Sequence, residues 1–345
     1  LSGGEFRAGR IMDDGIFFNG NALSAQNIQD FMDAKVPTCD TNGTQASGHG
    51  SYTRAQWGSL NGYPAPYTCL KAYRENIPAK SADSYCGGNI GSGNKSSAQI
   101  IYDVGQACGV SPKVLLVLLQ KEQSLVTDEW PWSIQYRSAT GYGCPDTAAC
   151  DSTYYGFFNQ VYNAARQFQR YTKQPSSFNY RSGQTSYVQY NPNASCGGSN
   201  LYLENSTTAA LYNYTPYQPN ASALANLYGS GDSCGAYGNR NFWRMFSDWF
   251  GSPLTSNYYA TPASQSAYPT LSPGAQGVVN MSYKNWGVSA WYDSSSLSQA
   301  PAGTKPVHLA TSHNLNRASS FTHSSWASSS RPAVNFSAVY ESNGT

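Results

Sequence analysis

Behind a Ser111-Pro112 start, the chain runs through six consecutive aliphatic residues, Val114-Leu115-Leu116-Val117-Leu118-Leu119. Ser before Pro is a helix opening: Ser caps, and Pro takes the first helical position, where its missing N–H is not needed. Six aliphatic residues in a row wrap a helix completely and leave no face for water. Such a helix must be surrounded on every side, so the rest of the domain has to supply the walls. The run is far too short to span a membrane, and no longer apolar run exists in the chain.

The walls are legible as further periodic segments. Ser96 with Gln99 forms a capping-box pattern, Ile100, Ile101, Val104 and Cys108 follow on one face, and Gly109 ends the helix. A second helix is expected from about Tyr155 to Tyr171, with Phe157, Phe158, Val161, Tyr162, Ala165 and Phe168 inward. A third runs from Asn239 to Phe250 with a Phe242/Trp243/Phe246/Trp249/Phe250 stripe and stops at Gly251. Ser24 caps a shorter one through Ile28, Phe31 and Met32, and another is expected over Asn205 to Leu211. A hairpin is expected over Asn179 to Tyr190, turning near Gly183-Gln184. Asp40 to Tyr67, rich in Gly, Ser, Thr and Tyr, reads as loop.

All eight cysteines lie between Cys39 and Cys234. There is no CxxC pair and no Cys/His cluster, which argues against zinc. An even count at scattered spacing reads as a disulfide framework formed in an oxidising compartment, so the chain is expected to be secreted or at a cell surface. Local pairing predicts Cys144–Cys150 and Cys196–Cys234, with Cys39–Cys69 and Cys86–Cys108 as the remainder. The start at Leu1-Ser2-Gly3-Gly4 reads as a mature or trimmed form.

At 345 residues the chain is expected to hold two or three domains. Residues 1–95 read as a loop-rich part packed on a helical lobe, 96–252 as that lobe, and 253–266 as a linker of Ser, Pro, Thr, Ala and Tyr. From 267 to 345 the period changes to alternation, as in Val278-Val279-Asn280-Met281-Ser282-Tyr283, which reads as a small β-sandwich. The fold class is therefore α+β.

Only 12% of residues are charged, and the net charge is +2, too little for nucleic-acid binding. With 27 Tyr and 8 Trp the surface is neutral and aromatic, as suits carbohydrate and equally suits extracellular proteins in general. All carboxylates but Asp293 and Glu341 precede residue 253, together with a single His, His49, in a Gly/Ser loop with no nucleophile-elbow motif. His308, His313 and His323 show no metal spacing. Paired cysteines offer no nucleophile, so carboxylate chemistry remains. Glu122 follows Leu118 and Leu119 on their helix face, at the rim of the core. A general acid for glycosidic oxygen needs such partial burial; the alternative is a helix-terminal Glu pointing to solvent.

Val110-Ser111-Pro112 leading into Lys121-Glu122-Gln123-Ser124-Leu125 resembles the lytic transglycosylase and goose-type lysozyme superfamily, with Gln123 as a departure before Ser124. Thr140-Gly141-Tyr142-Gly143 resembles its Gly-rich cleft segment. Ala209-Ala210-Leu211-Tyr212-Asn213 resembles its Ala-Tyr-Asn segment, with Leu211 and the following Tyr214-Thr215-Pro216 departing from it. The same region is similar to a group of secreted actinobacterial-type wall proteins. The resemblance implies a mainly helical lysozyme-like domain that cleaves the β-1,4 glycan of peptidoglycan without metal or organic cofactor. It makes Glu122 the acid/base and Tyr212 its orienting partner, with 1,6-anhydro products. Ser124, Tyr136, Arg137, Tyr142, Gln160 and Asn213 become substrate contacts, and Tyr154 and Tyr155 fall in the same region, where packing roles compete. A hydrolase would need a second carboxylate, from Asp128, Glu129, Asp146, Asp151 or Glu204. The competing class is a non-catalytic glycan-binding or adhesion protein on the same scaffold. The expected partner is peptidoglycan or a related glycan, with no nucleic acid, for a monomer peripheral to the cell envelope. Pro273-Gly274, Val279 to Asn285-Trp286-Gly287, Ala290-Trp291, Arg331-Pro332-Ala333 and Phe336 resemble an Ig-like module.

Overall fold

Helix α5 (Pro112–Gln123) carries the aliphatic run through the centre of the first compact unit, and no residue from Val114 to Leu119 is more than 1% exposed. A computed structural model describes residues 1–145, 148–254, 260–285, 291–292, 318–319, 324 and 328–330. The chain divides into two compact units, Leu1–Leu254 and Thr255–Thr345.

In the first unit the described elements run in order. They are α1 (Asp14–Phe17), α2 (Ala25–Lys35), α3 (Arg54–Leu60), β1 (Arg74–Ile77), β2 (Gly93–Ser96), α4 (Ser97–Cys108), α5, α6 (Ser133–Arg137) and α7 (Phe157–Lys173). Then come β3 (Gln184–Gln189), β4 (Gly198–Leu203), α8 (Ser206–Tyr214), α9 (Ala221–Ala225) and α10 (Gly238–Phe250). Helices α4 and α10 pack on α5, and α7 packs on α4 and α8. Phe17 joins the layers, its ring 4.9 Å from Phe168 of α7 and 6.3 Å from Phe242 of α10. The loop-rich start shares this core, since Phe6, Ile11, Met12, Ile28 and Met32 are buried in it.

The caps follow the sequence. Ser96 accepts the N–H of Gln99, and Gly109 closes α4 in the left-handed conformation at φ 63°. Helix α3 sits in the stretch expected to be loop. Its signal is Thr53 with Gln56, a capping box: Thr53 N–H donates to Gln56 Oε1, and Gln56 N–H to Thr53 Oγ1.

The hairpin differs from expectation. Residues 184–189 pair antiparallel with 198–203, Gln184 opposite Leu203, so Gly183 precedes the first strand instead of turning between two. Residues before it are held otherwise: Asn213 accepts the N–H of Tyr180 and donates to its carbonyl, leaving that residue nothing for a ladder.

The disulfides are Cys39–Cys69, Cys86–Cys108, Cys144–Cys150 and Cys196–Cys234, the local pairing expected, and no cysteine is free. They fit a chain that folds in an oxidising compartment. Among the described residues no helix is long and apolar enough to cross a membrane.

In the second unit β5 (Ala260–Gln265) pairs antiparallel with β6 (Met281–Asn285). Thus part of the stretch read from composition as linker is strand. Trp286, Gly287, Ala290, Arg331, Pro332, Ala333 and Phe336, which carry the Ig-like resemblance, lie outside the described residues, as do His308, His313 and His323.

Candidate active-site cleft

Glu122 stands on the last turn of α5, and the chain behind it turns sharply. Ser124 adopts the left-handed conformation at φ 58° and donates its N–H to the carbonyl of Gln120. It has a positive φ without being glycine, a conformation that costs about 1–2 kcal/mol. The Glu122 side chain is one quarter exposed, and its Oε1 lies 2.7 Å from the ammonium of Lys121. Lys121 is largely buried and also donates to Thr215 Oγ1 at 3.1 Å.

The other carboxylate oxygen faces the Gly-rich loop. A Cβ on Gly141 would stand 3.3 Å from Glu122 Oε2, and Gly141 has φ 69°. Both facts call for glycine: the backbone is left-handed, and a side chain would press on the carboxylate. Gln160, fully buried on α7, fixes this loop. Its Oε1 accepts the N–H groups of Thr140 and Tyr142, and its Nε2 donates to the carbonyls of Tyr142 and Tyr154.

Beyond Gly141 opens a cleft of about 350 Å³ whose lining includes Gly141, Tyr142, Tyr154, Gln167, Tyr171 and Tyr214. Tyr214 donates its hydroxyl to the Thr140 carbonyl at 2.7 Å. Burial first, then the negative charge of Glu122, pushes its phenol well above the ordinary range, so it stays a proton donor. Burial also pushes Tyr171 up to about 12.

The residues expected as site groups divide. Glu122 approaches Gly141, whose neighbour Tyr142 lines the cleft, and Gln160 stands behind this loop as a clamp. Tyr212 is fully buried and donates its hydroxyl to the carbonyl of Ala8 at 3.0 Å. Two residues along a helix turn the side chain to nearly the opposite face, which is why Tyr214 meets the Glu122 side and Tyr212 does not. Asn213 is engaged with the backbone of Tyr180. Tyr136 is buried, stacked on Tyr73 at 4.1 Å, and donates to the Thr68 carbonyl. Arg137 lies over the ring of Tyr155. Ser124 is exposed beside Glu122 in sequence.

The second-carboxylate candidates are engaged elsewhere. Asp128 accepts from Trp130 N–H and Gln135, Glu129 pairs with Arg54 at 2.8 Å, and Asp151 caps a short 3-10 turn. Glu204 lies 3.9 Å from Arg10, and Asp146 is outside the described residues. Among the described residues no group of three or more His, Cys, Asp or Glu is arranged to hold a metal ion.

Residues 10–261, more than half of the chain, match the family model described as LasA, N-terminal domain. The chain belongs to this family. The LasA N-terminal domain match takes in the loop-rich start, all of α4 to α10 and the beginning of β5. It therefore treats the N-terminal part and the helices as one piece, as their shared core does. No curated protein and no solved structure matches the chain.

Sequence reasoning missed Lys121, Tyr171, Gln167 and Tyr214. Lys121 is adjacent to Glu122 and could have been weighed as its partner. Tyr214 was visible only as a departure from the resembled Ala-Tyr-Asn segment.

Proposed function

We propose that the Leu1–Leu254 unit acts on the bacterial cell wall, cleaving peptidoglycan glycan strands with Glu122 as the single acid/base. The observation that carries this reading is Glu122 itself. It sits at the end of a wholly buried helix, one oxygen turned to a bare glycine, beside a cleft rimmed by phenols. The four other described candidates each have a structural partner, so a mechanism needing one carboxylate is favoured over one needing two. Glu122 protonates the leaving oxygen and then takes the proton from the sugar's C6 hydroxyl, closing a 1,6-anhydro ring. Tyr214 replaces Tyr212 as the tyrosine that faces this chemistry. The resemblance to lytic transglycosylases and the membership of the LasA N-terminal family both point to the wall as substrate. Mass spectrometry of digested sacculi tests it: anhydro ends are expected, and reducing ends would mean hydrolysis.

A second reading has its own observation. The 2.7 Å pair with Lys121 engages Glu122 as a charged carboxylate, as a purely structural residue would be engaged. On that reading the unit binds glycan without turnover, and sacculi would be retained but never solubilised.

A further inference from the structure

Between Asp151 and Glu204 the chain carries no carboxylate, and the charged residues of that stretch are Arg166, Arg170, Lys173 and Arg181. The first three stand on α7 at i, i+4 and i+7, so they share one face of the helix. That face is opposite the one that buries Val161, Ala164, Ala165 and Phe168 in the core. It is also turned away from the side carrying Gln167 and Tyr171, which line the cleft.

Neighbouring segments gather these cations and add another. Arg166 pairs with Asp83 at 2.6 Å and lies 4.6 Å from the ring centre of Tyr85, while Lys173 donates to the carbonyls of Ser84 and Tyr85. Arg170 lies 5.4 Å from the ring centre of Phe178, and Arg181 donates to the carbonyls of Phe178 and Ser176. Lys80 lies 5.2 Å from the ring centre of Tyr162, one turn before Arg166. Among the described residues these five cations have one carboxylate partner, Asp83; Glu75 lies beyond the stripe, accepting the N–H of Phe158 at the start of α7. The whole chain has a net charge of only +2, so positive charge is concentrated on this face.

The face also selects among anions. The rings of Tyr85, Phe178 and Tyr162 each lie under a cation, which leaves no bare ring for a nucleobase to stack on. Among the described residues no large exposed apolar side chain comes from α7, the 83–85 loop or the 176–181 corner, so nothing here anchors in a bilayer. Three guanidinium groups offer planar forks that match phosphate oxygens. A flexible polymer with a phosphodiester in every repeat can follow cations set about one helical turn apart, and it asks for neither base stacking nor acyl insertion.

We propose that this face of α7 binds a polyol-phosphate polymer. The site is separate from the cleft and owes nothing to Glu122.

Fluorescence anisotropy of the full chain with a labelled glycerol-phosphate octamer tests it. Four uncompensated charges imply a log–log salt slope of about −3, so binding should be about sixtyfold weaker at about 200 mM salt than at about 50 mM. Arg170→Gln with Lys173→Gln removes two of those charges at exposed positions and should roughly halve the slope. Arg7→Gln with Lys35→Gln removes the same charge from elsewhere, Lys35 lying over Trp249, and should leave binding nearly unchanged. An uncharged oligoglycerol should not compete. No binding, or equal loss in the two double variants, would overturn the proposal. So would preference for a single-stranded oligonucleotide of equal charge or for phosphatidylglycerol vesicles. Binding is read without turnover, so a chain that binds the octamer and never cleaves sacculi would sink the catalytic reading alone, and cleavage without octamer binding would sink this one alone.

Discussion

Gly141→Ala separates backbone strain from pressure on the carboxylate. Gly141 sits at φ 69°, where an L side chain costs about 1–2 kcal/mol. Its new methyl would also stand 3.3 Å from Glu122 Oε2, a little closer than ordinary van der Waals contact. The carboxylate must then yield by a few tenths of an ångström, away from residue 141. Gly183→Ala is the matched control. It has nearly the same backbone, φ 73°, with no atom within 4 Å of the added Cβ. Urea unfolding should therefore give both variants a similar loss of about 1–2 kcal/mol. Release of soluble fragments from sacculi should fall only in Gly141→Ala, by roughly tenfold, since displacing a reacting group by 1 Å can cost about a hundredfold. Equal activity in the two variants, at equal loss of stability, would refute the reasoning that Gly141 is small for the sake of Glu122.

Two further outcomes test the local physics. Ser124→Gly should raise stability by about 0.5–1 kcal/mol in the same urea assay, because relief at φ 58° exceeds the extra unfolded-state entropy of glycine. For Asp40, burial works to raise the carboxyl, but the N–H groups of Gln45 and Thr44, the Thr44 hydroxyl and Arg54 outweigh it and hold the carboxyl below the ordinary range. Its contribution is thus present above the unfolded value, about 3.9, and lost as pH falls through the lower folded value. Asp40→Asn should destabilise at neutral pH and approach the wild-type curve only as pH falls through the lowered folded value, as followed by thermal unfolding across pH.

Much of the first unit was legible because its signals are local. The Ser-Pro start and six aliphatics gave α5, and the Ser96 cap and Gly109 gave α4 with its ends. Local pairing of cysteines gave all four bridges. The failures came where a partner is remote. Strand β3 (Gln-Thr-Ser-Tyr-Val-Gln) is short and mostly polar, so it pairs as well on paper with what precedes Gly183 as with β4, and the deciding contact is Asn213 on another element. The site was half legible. Helical spacing put Glu122 at the core rim, but the choice between Tyr212 and Tyr214 depends on which face α8 turns inward. Ala8 takes the hydroxyl of one and Thr140 that of the other, at sequence separations of 204 and 74. No local pattern encodes that.

The central claim is that Glu122 moves the proton. The most direct measurement compares solubilisation of sacculi by the wild-type chain and by Glu122→Gln, with unfolding curves taken on the same preparations. The change keeps shape and leaves a group that neither donates as an acid nor accepts as a base. The account expects the rate to fall by roughly 10²–10⁴-fold, with the two unfolding curves nearly superimposed. Turnover by Glu122→Gln at the wild-type rate, with the fold intact, would contradict it.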